Sequence, residues 1–256
     1  MLRKARPIKE PCSGNSIGNA REGRAPPPGP PPPPPFSTFV LLTSCGSAQT
    51  HAPLQGWWQF YFKHKTESNW IVEADAGYRV QSAHLEPGTA LARVGFGRQF
   101  KDFSLIAGAA WFESWPLSGS GQESGEFRLF QKLILPQKLG PVSLSHIYRA
   151  EERWLQQPLR SQYQLQLRLR YQLQAIYKFK NFALLGGKPY LNGHAEMFAV
   201  PNKQVFSQFR LFGGTGLNWK DRWRFELGYL AIWLPAKTTG NPIPGHALRM
   251  NLLLNL

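Results

Sequence analysis

Residues 160–174 alternate for fifteen positions without a break. Arg160, Gln162, Gln164, Gln166, Arg168, Arg170, Gln172 and Gln174 take one set of positions, and Ser161, Tyr163, Leu165, Leu167, Leu169, Tyr171 and Leu173 take the other. A helix gathers every third or fourth side chain on one face, whereas an extended chain sends successive side chains to opposite faces. The run is therefore a strand with a polar, partly cationic face and an oily face bracketed by Tyr163 and Tyr171. Ordinary strands have about 5–6 residues, and a tilted strand crossing a bilayer needs about 9–11. This one is long enough to cross.

The rest of the chain after residue 54 reads as similar segments, each closed by turn residues: 57–63, 70–79, 89–100, 103–113, 125–135, 142–154, 188–200, 205–219, 222–233 and 246–256. With 160–174 that makes eleven, and residues 175–187 leave room for a twelfth. A loop spans 115–124 and a turn spans 136–141. No segment has a sustained helical period, and no solenoid-type repeat appears. The fold class is all-β, a transmembrane antiparallel barrel of about 10–12 strands, with even-numbered closure expected at ten or twelve. Leu248, Met250, Leu252, Leu254 and Leu256 fall at every second place back from the C-terminus, with Arg249, Asn251 and Asn255 among them. Outer-membrane barrels finish on such a strand, usually with an aromatic last residue where this chain has Leu256, and the barrel-assembly machinery is the partner expected there.

A hydrophobic content of 42% and a mean hydropathy of −0.34 resemble a soluble protein, but a barrel with polar groups at every other position averages the same way. No run of about 18 apolar residues offers a helical span. Aromatic residues are 13% of the chain, with nine Trp and seventeen Phe, which suits rings placed where hydrocarbon meets headgroups. The formal net charge is +15. Residues 1–48 hold six basic and two acidic residues, leaving 24 against 13, or +11, for the remainder. Those arginines are spaced two apart within strands and mixed with Glu, so nucleic acid is not the expected partner. Cys12 and Cys45 both lie in the leader, which leaves the body without a disulfide, a Cys-based metal site or a thiol nucleophile.

Residues 1–35 are basic, poor in large apolar side chains and end in a proline run, so they read as a disordered leader. Residues 36–48 resemble the tail of a secretory signal, with Gly46 and Ala48 before a cut. Leu42-Thr43-Ser44-Cys45 also fits a lipobox in which Cys45 is acylated. A proline-rich lead of this length is foreign to a signal peptide, and the expectation is a misplaced start that has cost part of a normal signal. The alternative is a genuine disordered tail on a cytosolic protein.

Tyr148-Arg149-Ala150-Glu151-Glu152-Arg153-Trp154 and Arg168-Leu169-Arg170-Tyr171-Gln172-Leu173 resemble the two hallmarks of a bacterial family known only as domain of unknown function 2490. Glu196-Met197-Phe198, Arg210-Leu211-Phe212-Gly213-Gly214 and Glu226-Leu227-Gly228-Tyr229 agree in order and spacing. The resemblance covers residues 56–256. It implies an outer-membrane β-barrel, and it brings no established activity or catalytic residue with it.

If the oily faces point outward, the lumen receives Glu73, Asp75, Arg79, Arg93, Glu126, Arg128, Lys132, Arg149, Glu151, Arg153, Arg168, Arg170, Glu196, Arg210, Arg224, Glu226 and Arg249. Guanidinium forks pair with carboxylates on neighbouring strands, and a satisfied network is tolerable where a single buried charge is not. Such a lumen is either a polar filling that fixes register or a cationic constriction that selects small anionic solutes. The expected role is therefore structural or passive, in the bacterial outer membrane, with lipid as partner and no cofactor. A lipid-modifying barrel hydrolase is one alternative, carried by Asn192, His194 and Glu196 on one face, although no Ser is tied to them. Ser145 and His146 are adjacent and face opposite sides. A soluble lipocalin-like carrier is the other alternative, and it would send its apolar face inward. No close metal-ligand spacing occurs, and the clusters at Gly95-x-Gly97, Gly186-Gly187 and Gly213-Gly214-x-Gly216 lack a following helix, so they read as barrel bends or close strand approaches rather than phosphate loops.

Overall fold

The computed structural model describes residues 54–80, 87–115, 123–157, 160–179, 182–201, 204–235 and 243–256. The leader, the lipobox-like segment with Cys45, and most of the 115–124 loop lie outside the described residues. Eleven strands run β1 (Gln55–Lys65), β2 (Trp70–Val80), β3 (Pro87–Gln99), β4 (Ser104–Ser114), β5 (Ser124–Leu139), β6 (Val142–Gln157), β7 (Arg160–Lys178), β8 (Lys188–Val200), β9 (Gln204–Trp219), β10 (Trp223–Leu234) and β11 (Ile243–Asn255). No helix occurs among the described residues.

Consecutive strands pair antiparallel, and β1 closes on β11 in parallel, giving a closed barrel. Eleven lies within the expected range, but the even-numbered closure does not hold. An odd count of up-and-down strands leaves the first and last pointing the same way, so Gln55 pairs with Ala247 and Lys63 with Asn255. Among the described residues, 175–187 hold no twelfth strand. Instead β7 runs on to Lys178 for a length of 19 residues.

The expected turn at 136–141 is corrected as well. β5 continues through Pro136 to Leu139, and only Gly140 and Pro141 turn the chain, with Gly140 at φ +56°. The last β5 residue with a β4 partner is Ile134. Beyond it one edge of β5 is free, which is where a proline without an N–H is tolerated.

The period-two pattern sorts the wall into two faces. Leu165, Leu167 and Leu169 are 60%, 44% and 44% exposed, whereas the side chains of Arg168 and Arg170 are 12% and 17% exposed. Trp58, Phe60, Val94, Phe96, Leu105, Leu129, Leu211, Leu227, Leu248 and Leu252 also turn outward. Aromatic rings pair on this outer surface: Trp70 with Phe96 at 4.8 Å, Phe127 with Trp154 at 5.6 Å, and Tyr148 with Tyr171 at 5.1 Å between centroids. Polar residues interrupt the outer face, among them Gln131 and Glu152. Gln131 pairs with Ala150, and Glu152 lies between Leu129 and Leu167.

The interior is not simply polar. Trp57, Phe212, Leu230, Ile232 and Ala247 form one buried apolar cluster, Ile71, Ile106 and Phe130 a second, and Leu91, Ala110 and Phe112 a third. Inward glycines make room for the rings. A Cβ on Gly108 would stand 2.5 Å from Phe130 Cζ and 2.2 Å from the Val94 carbonyl oxygen, and one on Gly228 would stand 2.4 Å from Phe212 Cζ. Within the Gly213-Gly214-x-Gly216 cluster, Gly214 and Gly216 serve ring packing and close strand approach, Gly214 under Phe212 and Gly216 under Tyr190, whereas a Cβ on Gly213 would meet nothing within 4 Å.

Candidate functional site

The lumen of the barrel gathers the charged side chains into four knots. On the β2 side, Arg93 of β3 grips Asp75 with its Nε 2.9 Å from both carboxylate oxygens and its Nη2 at 2.9 Å, and Gln59 Nε2 donates to Asp75 Oδ2 at 2.9 Å. Glu73 reaches past two strands to Lys132 of β5. That reach is open because Gly95 and Gly108 are the residues between: Glu73 Cγ lies where a Gly95 Cβ would have its neighbour, at 3.0 Å.

The second knot is built on β5, β6 and β7, where the sequence places Glu-x-Arg against Glu-x-Arg and Arg-x-Arg. Glu126 accepts from Arg128 Nη2 at 2.8 Å and from Arg153 Nη2 at 3.0 Å, with both Nε groups bonded as well. Arg153 Nη1 goes on to Gln166 Oε1 at 2.8 Å. Glu151, only 2% exposed, accepts from Arg168 through Nε at 2.8 Å and through Nη2, with Arg149 at 3.7 Å and Arg128 at 4.0 Å. One carboxylate thus faces three guanidiniums.

In the third knot Glu196 pairs with Arg170 and, at 3.4 Å, with Arg210. The fourth is different in kind. Glu226 is held by neutral donors alone: Asn192 Nδ2 at 2.7 Å, Asn251 Nδ2 at 2.7 Å and the Tyr190 hydroxyl at 3.2 Å. Carboxylates taken out of bulk water are tolerable only with good donors; Glu73 has Lys132, and each of the others has two or more.

Arg79, Arg224 and Arg249 form no ion pair among the described residues. Arg224 donates to Asn255 Oδ1 at 3.4 Å, while Arg249 donates to the Tyr61 hydroxyl and, at 3.1 Å, to Asn251 Oδ1. Among the charged residues expected in the lumen, the eleven cations Arg79, Arg93, Arg128, Lys132, Arg149, Arg153, Arg168, Arg170, Arg210, Arg224 and Arg249 outnumber the six carboxylates Glu73, Asp75, Glu126, Glu151, Glu196 and Glu226 by five.

Aromatic plates carry part of that excess. Arg79 lies 4.0 Å and Arg210 5.4 Å from the Trp57 ring centre, and Arg210, Arg168 and Arg170 lie 4.7, 5.2 and 5.2 Å from Phe198. Guanidinium and ring therefore alternate from β2 through Trp57 and β9 to β7, a pile that crosses the lumen. Each such contact contributes roughly 0.5–2 kcal/mol, more where water is absent.

Every acidic and basic residue expected in the lumen faces it. The sequence reading did not include the partners that complete the knots: Gln59, Tyr61, Gln166, Tyr190 and Asn251, or the plates Trp57, Phe198 and Phe212. A signal for them exists, since Trp57 shares its strand face with Gln59, Phe198 with Glu196 and Phe212 with Arg210. The trio Asn192, His194 and Glu196 does share the inner face of β8, but its members are engaged apart. Asn192 turns to Glu226, Glu196 to two arginines, and His194 stacks on Phe212 at 4.8 Å with its buried Nδ1 unpartnered. His146 bonds the outer Tyr171 hydroxyl at 2.9 Å. No group of three or more His, Cys, Asp or Glu side chains is placed to hold a metal among the described residues.

A family model described as protein of unknown function (DUF2490) matches residues 54–241. No curated protein and no solved structure matches the chain.

Proposed function

The chain belongs to the DUF2490 family, and from the two-faced wall we propose a bacterial outer-membrane barrel of passive role, whose arginine-rich lumen favours small anions over cations. The observation that carries the reading is the sidedness of the wall, with leucine and aromatic side chains outside and the ion-paired network inside. A wall of this kind in water would expose far more contiguous apolar surface than soluble proteins carry. Even the shortest strands, β1, β2 and β4, have 11 residues, enough for a tilted crossing. Lipid is then the partner of the outer face, and the alternating end of β11 suits recognition by barrel-assembly machinery.

The excess of five cations sets the preference. A ring of fixed positive charge in a narrow lumen raises the local concentration of anions and repels cations. The guanidinium–ring pile limits passage to small solutes. The carrier alternative runs against the outward leucines, and the hydrolase alternative runs against the separate engagements of Asn192, His194 and Glu196.

Refolded protein in a planar bilayer under a potassium chloride gradient is expected to reverse at a potential on the chloride side. Cation selectivity, or no conductance at all, would remove the permeation reading.

A further inference from the structure

Trp57 stands in one ladder row between two arginines. Its partner on β2 is Arg79 and its partner on β11 is Arg249. Side chains directly opposite on adjacent strands have Cβ atoms about 4.5–5.5 Å apart, so each arginine is a direct neighbour of the indole and the two stand two such spacings from each other. A third guanidinium, Arg210, comes to the same indole from β9 at 5.4 Å.

Trp57 packs with Phe212 in one buried cluster. Onto Phe212 come Arg249, at 5.4 Å from the ring centre, and His194, at 4.8 Å. Four basic side chains, Arg79, Arg210, Arg249 and His194, therefore surround a single aromatic floor. Carboxylate does not match them. Glu196 is shared between Arg210 and Arg170, and Glu226 is occupied by Tyr190, Asn192 and Asn251. Counting Arg170 with Arg79, Arg210 and Arg249, four guanidiniums meet two carboxylates. Two buried nitrogens here also lack protein partners: Arg210 Nε, and Nδ1 of His194, a residue 8% exposed.

We propose that the lumen contains a binding site for a small divalent oxyanion, of the inorganic phosphate or sulfate class, formed by Arg79, Arg210 and Arg249 over the Trp57–Phe212 floor. Such an ion supplies the two missing negative charges, and its several oxygens match the guanidinium forks of Arg79 and Arg249, which end on rings and neutral side chains, and the unpartnered Nε of Arg210. The inference rests on the anion-favouring reading above and gives it a place and a ligand class.

The test is thermal unfolding of the full chain folded in detergent, followed by circular dichroism, with chloride replaced stepwise by phosphate or sulfate at constant ionic strength. Binding predicts a midpoint that rises with the logarithm of the oxyanion concentration once Kd is passed, roughly 5 °C or more at about a hundredfold excess over Kd. Sulfate and phosphate also stabilise proteins generally by exclusion from their surface, and that effect grows linearly with concentration. The double substitution R79Q/R249Q is expected to move the logarithmic response to at least tenfold higher concentration while leaving the linear part. Should that variant fail to fold, phosphorus NMR on the wild-type barrel decides, with broadening of the phosphate line that added sulfate reverses expected. A midpoint that rises linearly in wild type, or equally in the double variant, overturns the site. A barrel that conducts without selectivity yet binds phosphate saturably would remove the permeation reading and keep the site, and anion selectivity without saturable binding would do the reverse.

Discussion

Replacing Glu151 with Gln is expected to destabilise the barrel by about 3–5 kcal/mol, the range found when one partner of a buried ion pair is removed. The carboxylate is almost fully enclosed and is the acceptor on which Arg168, Arg149 and Arg128 converge. Glutamine keeps the volume and one acceptor oxygen but leaves three guanidiniums with their charge uncompensated. The remaining carboxylate of that knot, Glu126, already serves Arg128 and Arg153. Urea unfolding in detergent or lipid measures the change, with Glu67→Gln in the exposed turn between β1 and β2 as the control that leaves the midpoint in place. A Glu151→Gln midpoint indistinguishable from wild type would mean that the arginines are neutralised by something other than this carboxylate.

The second large effect is on the opposite face. Leu227 of β10 is 44% exposed, points outward, and pairs with Thr215 and Met250. On the proposed membrane placement, Leu227→Arg puts a guanidinium near the bilayer midplane at a cost of about 2–4 kcal/mol, falling to roughly 0–1 near the interfaces. Leu139→Arg, at the tip of the β5–β6 hairpin and 63% exposed, supplies the interfacial comparison. Measured in lipid vesicles by denaturant unfolding, the two should differ by most of that range. Equal, small effects at both positions would place the outer face of Leu227 in water, where surface substitutions usually shift stability by no more than about 0.5 kcal/mol.

Periodicity made the strands and their faces legible, because side-chain direction in an extended chain is a local property. Arg168 and Leu169 separate to opposite sides for that reason alone. Closure was not legible: whether β1 meets β11 in parallel depends on the full strand count, and nothing in either strand's sequence encodes it. Pro136 looked like a break because its missing N–H is costly inside a sheet, but that cost vanishes where β4 has ended. The partners inside the lumen were hidden for a related reason. Parity places Glu73 and Lys132 on the inner side, but their pairing also depends on two intervening glycines and on the stagger of three strands. Glu226 gave no sign that amides and a phenol would hold it in place of an arginine. The aromatic plates were hidden differently, since Trp57 and Phe212 follow the inward parity of their strands while composition assigns such residues to the outside. Glu152 is the converse, an outward carboxylate among leucines, and the outer face alone gives no reason for it.

The body of the chain contains no cysteine, so with Cys12 and Cys45 replaced a single nitroxide can be placed at Leu252, which faces outward between Phe60 and Phe225. In vesicles, collision rates with oxygen, which partitions into hydrocarbon, and with a water-soluble nickel chelate report what touches that side chain. A wall that meets acyl chains predicts frequent collisions with oxygen and few with nickel. Nickel collisions at Leu252 as frequent as at a nitroxide on Asp221, in the β9–β10 turn, would put the leucine face in water and contradict the membrane placement.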